Sequence, residues 1–199
     1  MKKINPFDQG YFYSEDLKNM GFKNVGTNVK IAKNCTIIGL ENINIKNNVR
    51  IDGGVTISCE HGNLNIGNYI HISGNCHLAC AGGITLDNFS GLSQGVRVYS
   101  STDDYSGKSL TNPTIPSTYL KTITKPVNIG KHVIIGSGSV VLPGVVIGMG
   151  SSVGALSLVT KPLNNWGVYF GIPVKKLKNR NKGLLEKEKK FMKSLINKI

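Results

Sequence analysis

Aliphatic residues recur at every sixth position through the second half of the chain: Ile129, Ile135, Val141, Ile147, Val153 and Val159. Four positions after each come Val133, Ser139, Val145, Ser151, Ser157 and Leu163, mostly small or β-branched, and glycine directly follows four of the six. A helix repeats at 3.6 residues and a half-buried strand alternates by two, so neither explains a period of six. A short strand followed by a tight turn, repeated, does explain it. Three such units bring the chain back to its starting side, giving a triangular coil of 18 residues that stacks on the next at about 4.8 Å. The pattern therefore predicts an all-β, parallel β-helical solenoid.

The same register runs upstream with small insertions. Val25, Ile31 and Ile37 form one coil, then Ile45, Ile51 and Ile57, then Ile66, Ile72 and Leu78, then Leu86, Leu92 and Val98. All extra residues fall at one corner, after the third strand, and the largest insertion, residues 100–126, falls there too. Loops of that length are usually functional, so this polar segment with three prolines is read as a site loop. The chain divides into an N-terminal cap with a short helix (1–24), the solenoid with its corner loop (25–165), and a basic C-terminal segment ending in a helix (166–199). Residues 14–20 carry a helix signature with Ser14 as N-cap and Gly21 as stop. Leu184, Leu185, Phe191, Met192, Leu195, Ile196 and Ile199 predict a terminal amphipathic helix with lysines opposite.

Charge adds a partner class. Of 199 residues, 24 are Lys or Arg and 11 Asp or Glu, a formal +13, so an anionic partner is expected. Ten of those cations lie from Lys175 onward against Glu186 and Glu188. No interleaving of basic and aromatic residues supports nucleic-acid binding. The uncharged stretch from Val133 to Val159 follows the hexad spacing, so no membrane span is expected, though the basic tail suits peripheral membrane contact. Four cysteines make no disulfide framework and the N-terminus lacks a signal-peptide pattern, so a cytoplasmic setting is expected.

The run IGKHVIIGSGSVVLPGVVIGMGSSVGALSLVTK followed by GIPVKKLK resembles the hexapeptide-repeat acyltransferases, nearest to the galactoside and maltose O-acetyltransferases and the sugar acetyltransferases of polysaccharide gene clusters. The resemblance implies a left-handed coil, a homotrimer and acetyl-CoA as donor, bound between neighbouring solenoids. It carries the donor site onto Ser137, Ala155, Thr160 and Lys161, where small residues let the pantetheine arm approach the backbone. It also carries phosphate contact onto Lys175 and Lys178.

The acceptor side departs from that family. Its usual catalytic histidine slot falls on Asp103, and the loop holds no histidine. Transfer to a hydroxyl needs a group that takes its proton, and an unshifted carboxylate is weak for that task. His71, on a strand with Ser73 and matching an acceptor-side position, is the expected proton acceptor. Asp103 is the alternative base, and Asp103 or Asp104 is expected to orient His71 or the acceptor hydroxyl. Tyr99 and Asp104 join Ser73 as acceptor contacts. His71 and His77 belong to adjacent faces and cannot share a metal ion, so no metal is expected.

These residues lead to an acetyl-CoA-dependent O-acetyltransferase acting on a sugar or polysaccharide hydroxyl of the lipopolysaccharide or capsule type, by direct transfer in a ternary complex. An N-acetyltransferase of a nucleotide-linked amino sugar is the alternative, since an amine needs less help from a base. A catalytically silent solenoid scaffold is the third reading.

Overall fold

The computed structural model describes residues 5–197. Its strands are mostly two or three residues long and lie on three parallel sheets that wrap one core. Named in chain order within a coil, the first face runs from Asn24–Val25 to Val146–Ile147. The second runs from Val29–Ala32 to Ser152–Val153, and the third from Thr36–Ile38 to Leu158–Val159. This is a parallel β-helix of six coils and the start of a seventh.

The hexad residues are the rungs. Ile45, Ile66, Leu86, Ile129 and Ile147 stack on the first face, and Ile51, Ile72, Leu92, Ile135 and Val153 on the second. Ile57, Leu78, Val98, Val141 and Val159 stack on the third. Every one of these is buried. Each contributes roughly 1.5–3 kcal/mol by burial, and β-branched side chains pack well on a pleated surface. Outward positions differ by face. The first face shows water a polar ladder, Asn24, Asn44, Asn65, Thr85 and Asn128, with side-chain hydrogen bonds from Asn24 to Asn44 (3.1 Å) and Asn44 to Asn65 (3.4 Å).

At both ends the sheet of the second face is extended by an antiparallel strand. Tyr11–Tyr13 pairs with the first strand of the second face. The N-terminal helix is only Ser14–Leu17, with Tyr13 at its cap position. Ser14 therefore does not cap it; its Oγ accepts the Val29 N–H (2.8 Å) and ties the helix to the first coil. At the other end Gly167–Gly171 and Val174–Asn179 form a hairpin.

From that hairpin the chain turns back along the corner between the first and second faces. Residues three places after each first-face rung, Asn28, Asn48, Tyr69, Phe89, His132, Gly150 and Trp166, all take positive φ. Aromatic side chains seldom adopt that conformation. Here they stack: Tyr69 on Phe89 at 4.8 Å and Phe89 on His132 at 5.2 Å. The C-terminal helix, Leu184–Ile196, docks on this column through Phe191, edge-on to Tyr69 at 5.2 Å. Glu188 accepts hydrogen bonds from Lys131 Nζ (2.6 Å) and His132 Nε2 (2.8 Å). Arg180 Nη1 donates to the carbonyls of His132, Gly150 and Ser151. The predicted helix is thus a strap spanning several coils. Ile199, assigned to it from the sequence, lies outside the described residues. No described helix is long and apolar enough to cross a membrane.

Candidate active site

The insertion after the fourth coil is not structureless. Ser101–Thr102 pairs antiparallel with Ile123–Thr124 at its base, and a 3-10 turn spans Ser117–Tyr119. This arm overhangs a cleft of about 460 Å³ lined by Tyr99, Ser101, Thr102, Asp103, Tyr105, Thr122, Leu142 and Pro143. Two of the sequence-selected acceptor residues, Tyr99 and Asp103, therefore share one cleft. Tyr99 ends the third-face strand Arg97–Tyr99, and its ring lies 5.6 Å from that of His77 in the coil below. Asp103 is exposed in the cleft wall.

Asp104 serves the arm instead of the cleft. Its Oδ1 accepts the Ser106 N–H (2.9 Å) and its Oδ2 the Ser109 hydroxyl (3.0 Å). Those bonds hold its carboxyl below the usual range, with Lys121 adding to the effect. Both of its oxygens are engaged within the loop, where Asp104 lines a neighbouring cavity with Asp103 and Tyr105. Nor does either aspartate reach His71 within this chain. His71 projects from the second face, half exposed, and its Nε2 lies 2.7 Å from Asp52 Oδ2. Asp52 also accepts from Arg50 Nε (2.6 Å) and the Tyr11 hydroxyl (3.0 Å). Desolvation alone would raise the Asp52 pKa, but the three donors outweigh it and hold it low. Asp52 sits directly after its rung in the position that Ser73 and Ser93 occupy in the next two coils. Sequence reading missed Asp52, although that shared register was the available signal.

The donor candidates belong to the fifth and sixth coils and to the closing hairpin. Ser137 and Ala155 hold the same place at the corner between the second and third faces, and the Leu156 N–H bonds the Ser137 carbonyl (2.8 Å). Thr160 and Lys161 are exposed where the chain leaves the last third-face strand. Lys175 and Lys178 are exposed on the closing hairpin, paired in register with Phe170 and Val168.

A model of the bacterial transferase hexapeptide, six repeats, matches residues 126–161. Over 186 residues, 94% of this chain and 97% of the relative, the sequence is 43% identical to dTDP-4-amino-4,6-dideoxy-D-glucose acyltransferase of Escherichia coli. The chain belongs to the hexapeptide-repeat transferase family.

Solved structures of this acyltransferase family agree. AntD, an N-acyltransferase from Bacillus cereus, in complex with dTDP and 3-hydroxybutyryl-CoA, superposes with a TM-score of 0.88 at 40% identity, covering 93% of this chain and 97% of AntD. An AntD variant in complex with dTDP-4-amino-4,6-dideoxyglucose and coenzyme A gives 0.89 at 41%, covering 94% and 99%. A maltose O-acetyltransferase from Clostridium difficile, at 23% identity and a TM-score of 0.55, shares the fold. Among the described residues of this acyltransferase, no three His, Cys, Asp or Glu side chains gather as a metal site would require. Cys59 and Cys80 are buried thiols whose pKa values burial pushes up, so they are poor nucleophiles.

Proposed function

We propose that the protein transfers an acyl group from acyl-CoA to the amino group of a dTDP-linked 4-amino-4,6-dideoxy sugar. The observation that carries this reading is similarity above 40% over nearly the whole chain to an acyltransferase of that sugar nucleotide. AntD, similar over the same span, supports it with its dTDP and coenzyme A complexes. The reading displaces O-acetylation of a polysaccharide, whose relative here is distant. It also accounts for a loop without histidine. A neutral amine attacks the thioester carbonyl unaided, so the site needs orientation and a modest proton acceptor, not a strong base.

Asp103 is the proposed acceptor of that proton. The new C–N bond forms as the C–S bond breaks; the coenzyme leaves as thiolate and takes up one proton, and the amine nitrogen gives one up. AntD variants have been solved at a serine and at an aspartate ten residues further on. In this chain only Ser93 and Asp103 form a Ser–Asp pair with that spacing. Ser93 joins the proposed site on that ground. Ser137, Ala155, Thr160, Lys161, Lys175 and Lys178 are proposed to hold the coenzyme, and His71 with Ser73 to border the acceptor side from the second face. A homotrimer, with clefts closed between copies, and a cytoplasmic setting belong to the same proposal.

The test is CoA release with acetyl-CoA or 3-hydroxybutyryl-CoA as donor. Release that requires dTDP-4-amino-4,6-dideoxyglucose supports the reading. Release with maltose or an oligosaccharide, and none with the nucleotide sugar, contradicts it.

A further inference from the structure

The third face carries two outward columns below the cleft. One is Thr36, Thr56, His77 and Arg97; the other is Ile38, Ser58, Ala79 and Tyr99. Neither column holds an acidic residue. Arg97 is exposed and has no carboxylate partner among the described residues, whereas Arg50 on the second face is paired with Asp52. Val140 lies beyond Arg97 on the same column, and Leu142 and Pro143 wall the cleft on that side. Burial and the Arg97 charge hold His77 neutral at pH 7, so its ring remains a hydrogen-bonding group next to a fixed cation.

Ser58 and Ala79, both with small side chains, stack in register with Tyr99, and His77 and Arg97 occupy the neighbouring column. The donor candidates belong to the fifth and sixth coils and the closing hairpin, whereas these columns belong to the first four coils. An acceptor whose amine meets the acyl group at Asp103 lies beside Tyr99, at the cleft end of these columns. In a hexose nucleotide the group next along from the sugar is the diphosphate, an anion needing donors. Ser93 and Asp103 also flank the strand Arg97–Tyr99, one before it and one after.

We infer that Arg97, with His77 beside it, forms the diphosphate subsite that positions the nucleotide sugar with its amine at Asp103; this rests on the nucleotide-sugar reading above. A guanidinium suits the task because it offers two parallel donors to phosphate oxygens.

The experiment is calorimetric titration of the wild type, Arg97→Gln and Arg97→Lys with dTDP, thymidine and coenzyme A. Arg97→Gln should weaken dTDP by about 10–100-fold. Arg97→Lys should restore part of that loss, and coenzyme A affinity should not change. Thymidine should bind equally weakly to all three. Wild-type dTDP binding that Arg97→Gln leaves within about twofold overturns the subsite while the nucleotide-sugar reading survives. Equal loss of dTDP and coenzyme A shows a folding defect or a donor role, and also overturns it. No dTDP binding to the wild type overturns it as well, and CoA release with the amino sugar then decides separately whether the broader reading stands. In turnover, Arg97→Gln should raise the acceptor KM about 10-fold or more with a smaller change in kcat, a split that a merely structural role would not give.

Discussion

Glu188 is where the C-terminal strap is most exposed to test. Its carboxylate receives two charge-assisted hydrogen bonds, from Lys131 and His132, with 17% of its side chain exposed and 8% of His132. A hydrogen bond to a charged group contributes about 1.5–3 kcal/mol when sheltered, and partial exposure reduces the pair. Glu188→Ala should therefore cost about 2 kcal/mol, part of it from leaving His132 without its acceptor. For a chain of this size that lowers Tm by about 4–8 °C. Desolvation raises the Glu188 pKa, but its two hydrogen bonds outweigh it and the folded pKa is depressed. The stability it contributes is then fully present above the unfolded carboxylate pKa, near 4.3. It is lost as pH falls through the folded value. Melting wild type and Glu188→Ala by circular dichroism between pH 7 and pH 3.5 should show a gap that is constant to about pH 5 and narrows below it. Equal Tm values at pH 7, or a gap that does not narrow between pH 5 and pH 3.5, would refute the strap argument.

Three further outcomes follow from the geometry. Ser90 is buried with its hydroxyl unpartnered, at the place where Ile70 and Val133 sit in adjacent coils, so Ser90→Ala should raise Tm by about 2–4 °C; a lower Tm would show a hidden partner. Lys175→Ala with Lys178→Ala should raise the KM for acyl-CoA several-fold, and less so for a donor lacking the 3′-phosphate; equal losses with both donors would remove these lysines from phosphate contact. Asp103→Asn should lower kcat by about 10²-fold or more, with His71→Ala having the smaller effect; the reverse order would restore His71 as proton acceptor.

The six-coil register was readable because one inward aliphatic per strand is an obligatory feature of a stacked triangular coil. The rungs from Val25 to Val159 pair as their spacing requires. The ends were less readable, since Tyr11–Tyr13 and the Gly167–Asn179 hairpin pair antiparallel and follow no hexad. The strap was hidden for another reason. The terminal helix was visible from its periodicity, but its dock joins Tyr69, Phe89 and His132 to Glu188 and Phe191, residues far apart in the chain. A usable signal existed: Tyr69, Phe89 and His132 fall at one corner position where Gly or Asn fits the backbone better. At the candidate site, Tyr99 and Asp103 could be selected because the loop insertion marks the cleft. Asp52 was missed although it shares its register with Ser73 and Ser93, because its partnership with His71 is set by stacking between coils. The two bonds from Ser106 and Ser109 to Asp104 are local turn chemistry that the hexad pattern does not report.

The central claim is transfer to nitrogen, and the linkage formed tests it most directly. The nucleotide-sugar product made with radiolabelled acetyl-CoA should be isolated and treated with alkaline hydroxylamine, which cleaves oxygen esters and leaves amides. Label retained on the sugar nucleotide is the result expected here. Label released quantitatively as the hydroxamate would show an ester, and would return the protein to the O-acetyltransferases.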